Sequence, residues 1–189
     1  MSIHISMGEA YPNGGMNVYD NWYAVQVRCG REDEIVRACD MIIDNHALIE
    51  CFIPRCKRMR KIRGQWHNIE EILFRGYVFM ISDHIDDLFN ELKKIPDLTK
   101  LLGNDGKNIY PIYKEEAMFL TRFGGSEHVV EISCGYIEGD SICITNGPLM
   151  GQEGSIVKID RHKRVAYVDV SLFGQITTVQ VGLEVISKS

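Results

Sequence analysis

The sequence predicts an α+β protein in two parts: an antiparallel sheet with helices, followed by a small all-β barrel of the SH3-like kind. Two patterns predict it. Up to residue 123, strand-like apolar runs alternate with apolar residues at helical spacing; from residue 138 onward every run is short, β-branched and bounded by turn residues. Composition agrees: 189 residues, 45% apolar and 25% charged, is ordinary globular material, enough for one domain or two small ones.

Residues 1–20 contain Gly, Pro and Asn without periodicity and read as a flexible leader. Order begins at "NWYAVQV", a short aromatic and β-branched strand stopped by Gly30. In "REDEIVRACDMIIDNH", Ile35, Val36, Cys39, Ile42 and Ile43 fall on one helical face, and Glu32, Asp33 and Glu34 occupy the first turn, where the helix dipole favours acids. A second helix is predicted at 84–95, with Ile85, Leu88, Phe89 and Leu92 on one face and Pro96 at its end; a third spans 114–122. Between the first two helices, "IECFIP" and "ILFRGYVFMI" are strand-like.

The first domain is therefore assigned to 21–123. Residues 124–137, with glycines, serines and acids but no period, read as a linker, and 138–189 as the barrel. Its strands are "SICIT", "GSIVKID", "RVAYVDV" and "QITTVQV".

Charge is unevenly placed. The formal net charge of −5 divides into −2 over residues 1–21, 0 over 22–123 and −3 over 124–189. Within the neutral segment, "RCKRMRKIRG" puts six cations into nine residues: Arg55, Lys57, Arg58, Arg60, Lys61 and Arg63. Read as a strand, Arg55, Lys57, Met59, Lys61 and Arg63 share one side and Cys56, Arg58, Arg60 and Ile62 the other. Both sides are charged, so the block is drawn as an arm that leaves the sheet and returns through Gly64, suited to phosphate. The plainer alternative is an edge strand protected from aggregation by its charges.

The sequence contains no P-loop, dinucleotide fingerprint, H-E-x-x-H or G-x-S-x-G motif. The chain is read as a non-enzyme with no catalytic residues and no cofactor. Its six cysteines lack a C-x-x-C pair, and the combination of Cys51, Cys56 and His67 matches no common zinc spacing, so no metal site is assigned. No apolar run is long enough for a membrane helix and residues 1–20 lack signal-peptide character, so the expected location is cytoplasmic. Trp22, Phe74, Tyr77 and Phe79 are by numbers core residues; strict alternation puts Tyr77 and Phe79 on one face and Phe74 on the other.

"NWYAVQVRCGRED", "FIPRCKRMRKIRGQW" and "LFRGYVFM", in this order, resemble the amino-terminal (NGN) domain of the NusG family of transcription elongation factors. The stretch from "EGDSICITNGPLMGQEG" to "GLEVI" is similar to the family's KOW domain, and the likeness covers nearly all of residues 21–187. The long basic arm and the "GYIEGD…GPLMGQEG" wording look like the specialised RfaH and especially LoaP type. Arg75 stands where the family usually has proline.

The resemblance implies transcription antitermination and the following contacts. An apolar depression of Trp22, Phe74, Tyr77, Phe79 and Leu102 would grip the β′ clamp helices of RNA polymerase, with a second contact to β. Leu172 and Phe173 match an exposed KOW loop that binds NusE or Rho in relatives. A specialised factor also needs a signal at its target operon. For that, Arg28, Arg31, Arg55, Lys57, Arg58, Arg60, Lys61, Arg63, Arg161, Lys163 and Arg164 are candidate nucleic-acid contacts, to a structured leader RNA by preference and otherwise to non-template DNA. The reading from another class is a KOW-type RNA-binding or ribosome-associated protein without polymerase contact.

Overall fold

A computed structural model describes residues 19, 21–96, 98, 109–139 and 141–186. Strand β1 (Trp22–Gln26) forms the middle of the first sheet, between β5 (Tyr77–Ile81) and β6 (Ile109–Pro111), and β2 (Glu50–Phe52) pairs with the outer edge of β5. All three pairings are antiparallel, with Ala24 opposite both Phe79 and Tyr110.

Alternation along these central strands separates two cores. On one side Val25, Val78 and Met80 meet Ile35 and Cys39 of α1 (Glu32–Ile42) and Leu88 and Leu92 of α2 (Ile85–Leu92). On the other, Trp22, Ala24, Phe52 and Phe79 join Ala117, Leu120 and Phe123 of α3 (Lys114–Gly124). The three helices match the apolar spacing in the sequence to within a few residues at their ends.

The basic block is β3 (Arg55–Ile62), which turns at Arg63 and Gly64 into β4 (Gln65–Ile72). Both turn residues have positive φ, 50° and 85°, as a two-residue hairpin turn of type I′ requires. The inner edge of β3 pairs in parallel with β7 (Val129–Val130).

The last sheet has the order β10, β11, β12, β8, β9, formed by β8 (Ser133–Glu138), β9 (Ser141–Asn146), β10 (Ile156–Asp160), β11 (Val165–Leu172) and β12 (Gln175–Val185). Residues 124–137, expected to be a linker, thus contribute two strands. β7 pairs with the distant Arg55 and Cys56, and β8, besides its local hairpin with β9, pairs in parallel with the distant Leu183 to Val185, so most of this pairing has no local pattern to announce it. Buried residues of this sheet, among them Val168, Val170 and Leu172, continue the apolar cluster that starts at Trp22 and Phe79.

Candidate functional site

The aromatic side of the first sheet is built by two turns that break strand alternation. Phe74 lies outside any strand, in the bend between β4 and β5, and packs 5.8 Å from Phe79 between ring centroids. It therefore belongs to the same cluster as Tyr77 and Phe79, not to the opposite face that strict alternation assigns it. Gly76 holds that bend at φ 81°, and an added Cβ there would meet Cys29 Sγ at 3.1 Å. The Gly76 N–H donates to the buried carboxylate of Glu32 at 2.8 Å, and the Gly30 N–H donates to its other oxygen at 2.6 Å. Glu32 thus fastens the start of α1 to the residue before Tyr77, a role beyond favouring the helix dipole.

The expected polymerase contacts divide into buried and accessible. Trp22, Phe74 and Phe79 are 4%, 5% and 0% exposed. Tyr77 is half-buried, and Leu102 lies outside the described residues. The Tyr77 ring lies 6.3 Å from Tyr110 and 5.0 Å from Phe173; Phe173 in turn is 5.3 Å from Tyr110. Burial, then the neighbouring Tyr110, pushes the Tyr77 phenol above its ordinary range.

Phe173 occupies the turn between β11 and β12, where Phe173 and Gly174 both have positive φ. The Glu116 carboxylate, 4% exposed, secures this turn. One of its oxygens accepts from Ser171 Oγ at 3.1 Å and from the Gly174 N–H at 3.0 Å; the other accepts from the Tyr113 N–H at 3.2 Å. This corrects the expectation that Leu172 and Phe173 form an exposed loop: Leu172 is buried in the shared cluster and Phe173 packs on Tyr77. The roles of Tyr110, Glu116 and Glu32 in this site are not legible in the sequence, because each acts through a partner at least 33 positions away.

The basic hairpin is also different from a free arm. Cys56 Sγ lies 3.4 Å from the Gln180 carbonyl, and Arg58 donates to the Gln180 side chain at 2.8 Å. Gly182 approaches so closely that an added Cβ would be 2.5 Å from the Lys57 carbonyl. Cys56 is buried, which pushes its thiol up. At the base of the hairpin the cations meet acids: Arg55 with Asp33 and Glu70, Lys57 with Glu131 at 2.5 Å, Arg58 with Glu71. Arg60 lies 3.6 Å from Glu71, whereas Lys61 and Arg63 at the tip have no acid within ion-pair distance among the described residues.

The other candidate cations are scattered around this hairpin and the last sheet. Arg28 is exposed and Arg31 pairs with Glu34 at 2.7 Å. Arg161 is exposed, Lys163 lies 3.7 Å from Asp160, and the Lys163 N–H with Lys163's charge holds the Asp160 carboxyl below its usual range. Arg164 pairs with Glu184 at 3.1 Å and lays its guanidinium over Trp66, 4.4 Å from the ring centroid. Trp66 is directly opposite Lys61 in the hairpin register, so Arg164 is brought to the tip while Arg28 and Arg31 are not tied to it by any described contact.

The family model described as "Transcription termination factor nusG" matches residues 20–120, more than half of the chain. The chain belongs to the NusG family. Among curated members, the transcription termination/antitermination protein NusG of Campylobacter jejuni is 23% identical over 164 residues, covering 85% of this chain and 92% of that protein. NusG of Staphylococcus epidermidis is 25% identical over 174 residues, covering 88% and 94%. A solved structure described as "Domain interaction in Thermotoga maritima NusG" shares the fold, with a TM-score of 0.51 at 24% identity over 86% of this chain and 93% of that one. Among the described residues, no helix is long and apolar enough to cross a membrane.

Proposed function

We propose that this NusG-family chain is an antitermination factor that binds the β′ clamp helices of RNA polymerase through the Tyr77 side of its first sheet. It suppresses pausing and termination, and a nucleic-acid signal in the leader of its target operon directs it there. The reading divides the chain as the family does, into an amino-terminal domain over 21–123 and a KOW domain from 138. The observation that carries it is the aromatic surface of Tyr77 and Tyr110, the half-buried rim of a rigid aromatic core. Rigid aromatic anchors set in an apolar surround are what a helical partner's apolar stripe needs.

Phe173 covers that rim in this structure. A clamp helix and the β11–β12 turn would therefore compete for Tyr77, and polymerase binding requires the turn to leave. The same departure would free Leu172 and Phe173 for a partner such as NusE or Rho. Function then follows from differential binding: a factor that prefers the elongating state shifts the balance against pausing by that preference and no further. No bond in the nucleic acid needs to be made or broken by this chain.

The signal contact is assigned to the hairpin tip, where Lys61 and Arg63 meet no acid among the described residues and Arg164 stacks on Trp66. A structured RNA is the preferred ligand, since a few phosphate contacts from a rigid hairpin suit shape recognition. Two measurements test the proposal. Isolated clamp helices should capture the protein, with capture reduced by Tyr77→Ala. Transcription through a terminator on the native leader template should show readthrough that a control leader does not support. Failure to bind the clamp helices, even with the β11–β12 turn released by Glu116→Ala, would sink the polymerase contact.

A further inference from the structure

His46, His84 and Asp87 come together at the end of the first sheet where β2 begins and β5 ends. We propose that they form a surface site for a first-row divalent transition metal of the Zn²⁺, Co²⁺ or Ni²⁺ class. One donor atom from each residue lies within 4.8 Å of the others, and all three residues are exposed. His46 Nε2 is 3.8 Å from Asp87 Oδ2, and the two imidazole rings lie 4.2 Å apart at an interplanar angle of 32°.

The backbone beneath these side chains is fixed. Ser82, 1% exposed, donates its hydroxyl to the Ala47 carbonyl at 2.7 Å and accepts the His84 N–H at 3.0 Å. That pair of bonds joins the loop bearing His46 to the loop bearing His84. Asp44 accepts the His46 N–H at 2.8 Å, and the Leu88 N–H donates to the His84 carbonyl at 2.8 Å as α2 begins. Asp87 follows His84 by three residues, so the start of α2 sets them on adjacent positions of one face. Three donors from two separate segments are thus anchored on a common buried support.

The donor chemistry selects the ion. Two imidazoles and one carboxylate suit zinc, cobalt or nickel, whereas calcium and magnesium prefer oxygen donors throughout. Tetrahedral zinc with bonds of about 2.0–2.1 Å holds its ligand atoms roughly 3.4 Å apart, so small rotations of exposed side chains bring these three into range. Water would fill the remaining position. The N-terminal end of α2 contributes roughly half a positive charge, but Asp86 and Asp87 together place two negative charges in the same first turn, so the local field favours a cation.

The test uses the full chain freed of metal and titrated with Zn²⁺ by calorimetry and with Co²⁺ by its visible d–d absorption. One equivalent should bind. His84→Ala and Asp87→Asn should each weaken Zn²⁺ binding at least tenfold and remove the Co²⁺ signal, with far-UV circular dichroism unchanged. The double variant Cys29→Ser, Cys143→Ser and the double variant His67→Ala, His162→Ala should bind like the parent. Absence of binding, affinity unaffected by His84→Ala or Asp87→Asn, or binding lost in either control variant would overturn the assignment. Because the readout is metal occupancy, its failure leaves the polymerase contact untouched.

Discussion

The aromatic side of the first sheet and the tip of the basic hairpin are the two surfaces to which partner binding is assigned, and the chain treats them oppositely. It covers the aromatic side with α3 and the last sheet, down to Phe173 on Tyr77. It leaves Lys61 and Arg63 exposed at the tip. The difference follows from solvation. An aromatic cluster left in water forfeits the burial energy of each ring, so it attracts whatever apolar segment of its own chain can reach it. A cation in water is already well solvated and gains little from a surface acid. An apolar binding surface must be opened before use, while a charged one is ready.

The largest test of this contrast is core truncation. Phe79→Ala, at 0% exposure, should destabilise the protein by about 3–5 kcal/mol in denaturant unfolding. Tyr77→Ala should have a much smaller effect, since its ring is half-buried at the rim. Tyr77 therefore separates binding from folding, and Phe79 does not. Were the two substitutions equally destabilising, Tyr77 would belong to the core and its role as an accessible anchor would fall.

Next in size is the clamp on the turn. Glu116→Ala removes acceptors for Ser171 Oγ, the Gly174 N–H and the Tyr113 N–H, a loss of about 1–3 kcal/mol for a buried group of this kind. Cys56 reports whether the last sheet loosens as a result. Its thiol is pushed up by burial, so both low thiolate content and poor access slow its alkylation near neutral pH. Release of β12 from the hairpin should relieve both, and the labelling rate of Cys56 should rise in Glu116→Ala. An unchanged rate would mean that the turn and the hairpin dock independently.

Much of this architecture is legible in the sequence, and the illegible parts share one cause. α1, α2 and α3 follow from apolar residues at i, i+3 and i+4, and the Arg63–Gly64 turn from its glycine. Strict alternation puts Phe74 on the wrong face because alternation holds only inside a continuous strand, and the bend at 73–76 resets it. The ion pairs of the hairpin are not visible in the block itself, because its partners come from Asp33, across the hairpin at Glu70 and Glu71, and from Glu131. Packing between strands more than a hundred residues apart, as where Cys56 Sγ meets the Gln180 carbonyl, leaves no local signature.

Within the hairpin the same contrast recurs on a smaller scale. Arg58 bridges Glu71 and Gln180 and is 18% exposed, so Arg58→Ala should cost about 1 kcal/mol, measured as a lowered unfolding midpoint. Arg63→Ala should leave the midpoint where it was. Equal effects would remove the distinction between a structural base and an open tip.

The smallest effect on stability, and the most informative on binding, belongs to the tip itself. If all six cations of the block met phosphates, log K would fall against log salt with a slope of about −4 to −5. Ion pairing of Arg55, Lys57, Arg58 and Arg60 leaves Lys61 and Arg63 to do so, and the expected slope becomes about −1.4 to −1.8. The double reversal Lys61→Glu, Arg63→Glu should bring it close to zero in a titration with leader RNA while thermal unfolding stays the same. A parent slope near −5 would mean that nucleic acid displaces Asp33, Glu71 and Glu131 from their partners, making the base of the hairpin part of the binding surface and a competitor of its contact with β12. The salt dependence therefore measures how far along the hairpin the nucleic acid reaches, and whether its arrival helps to detach the last sheet from the first.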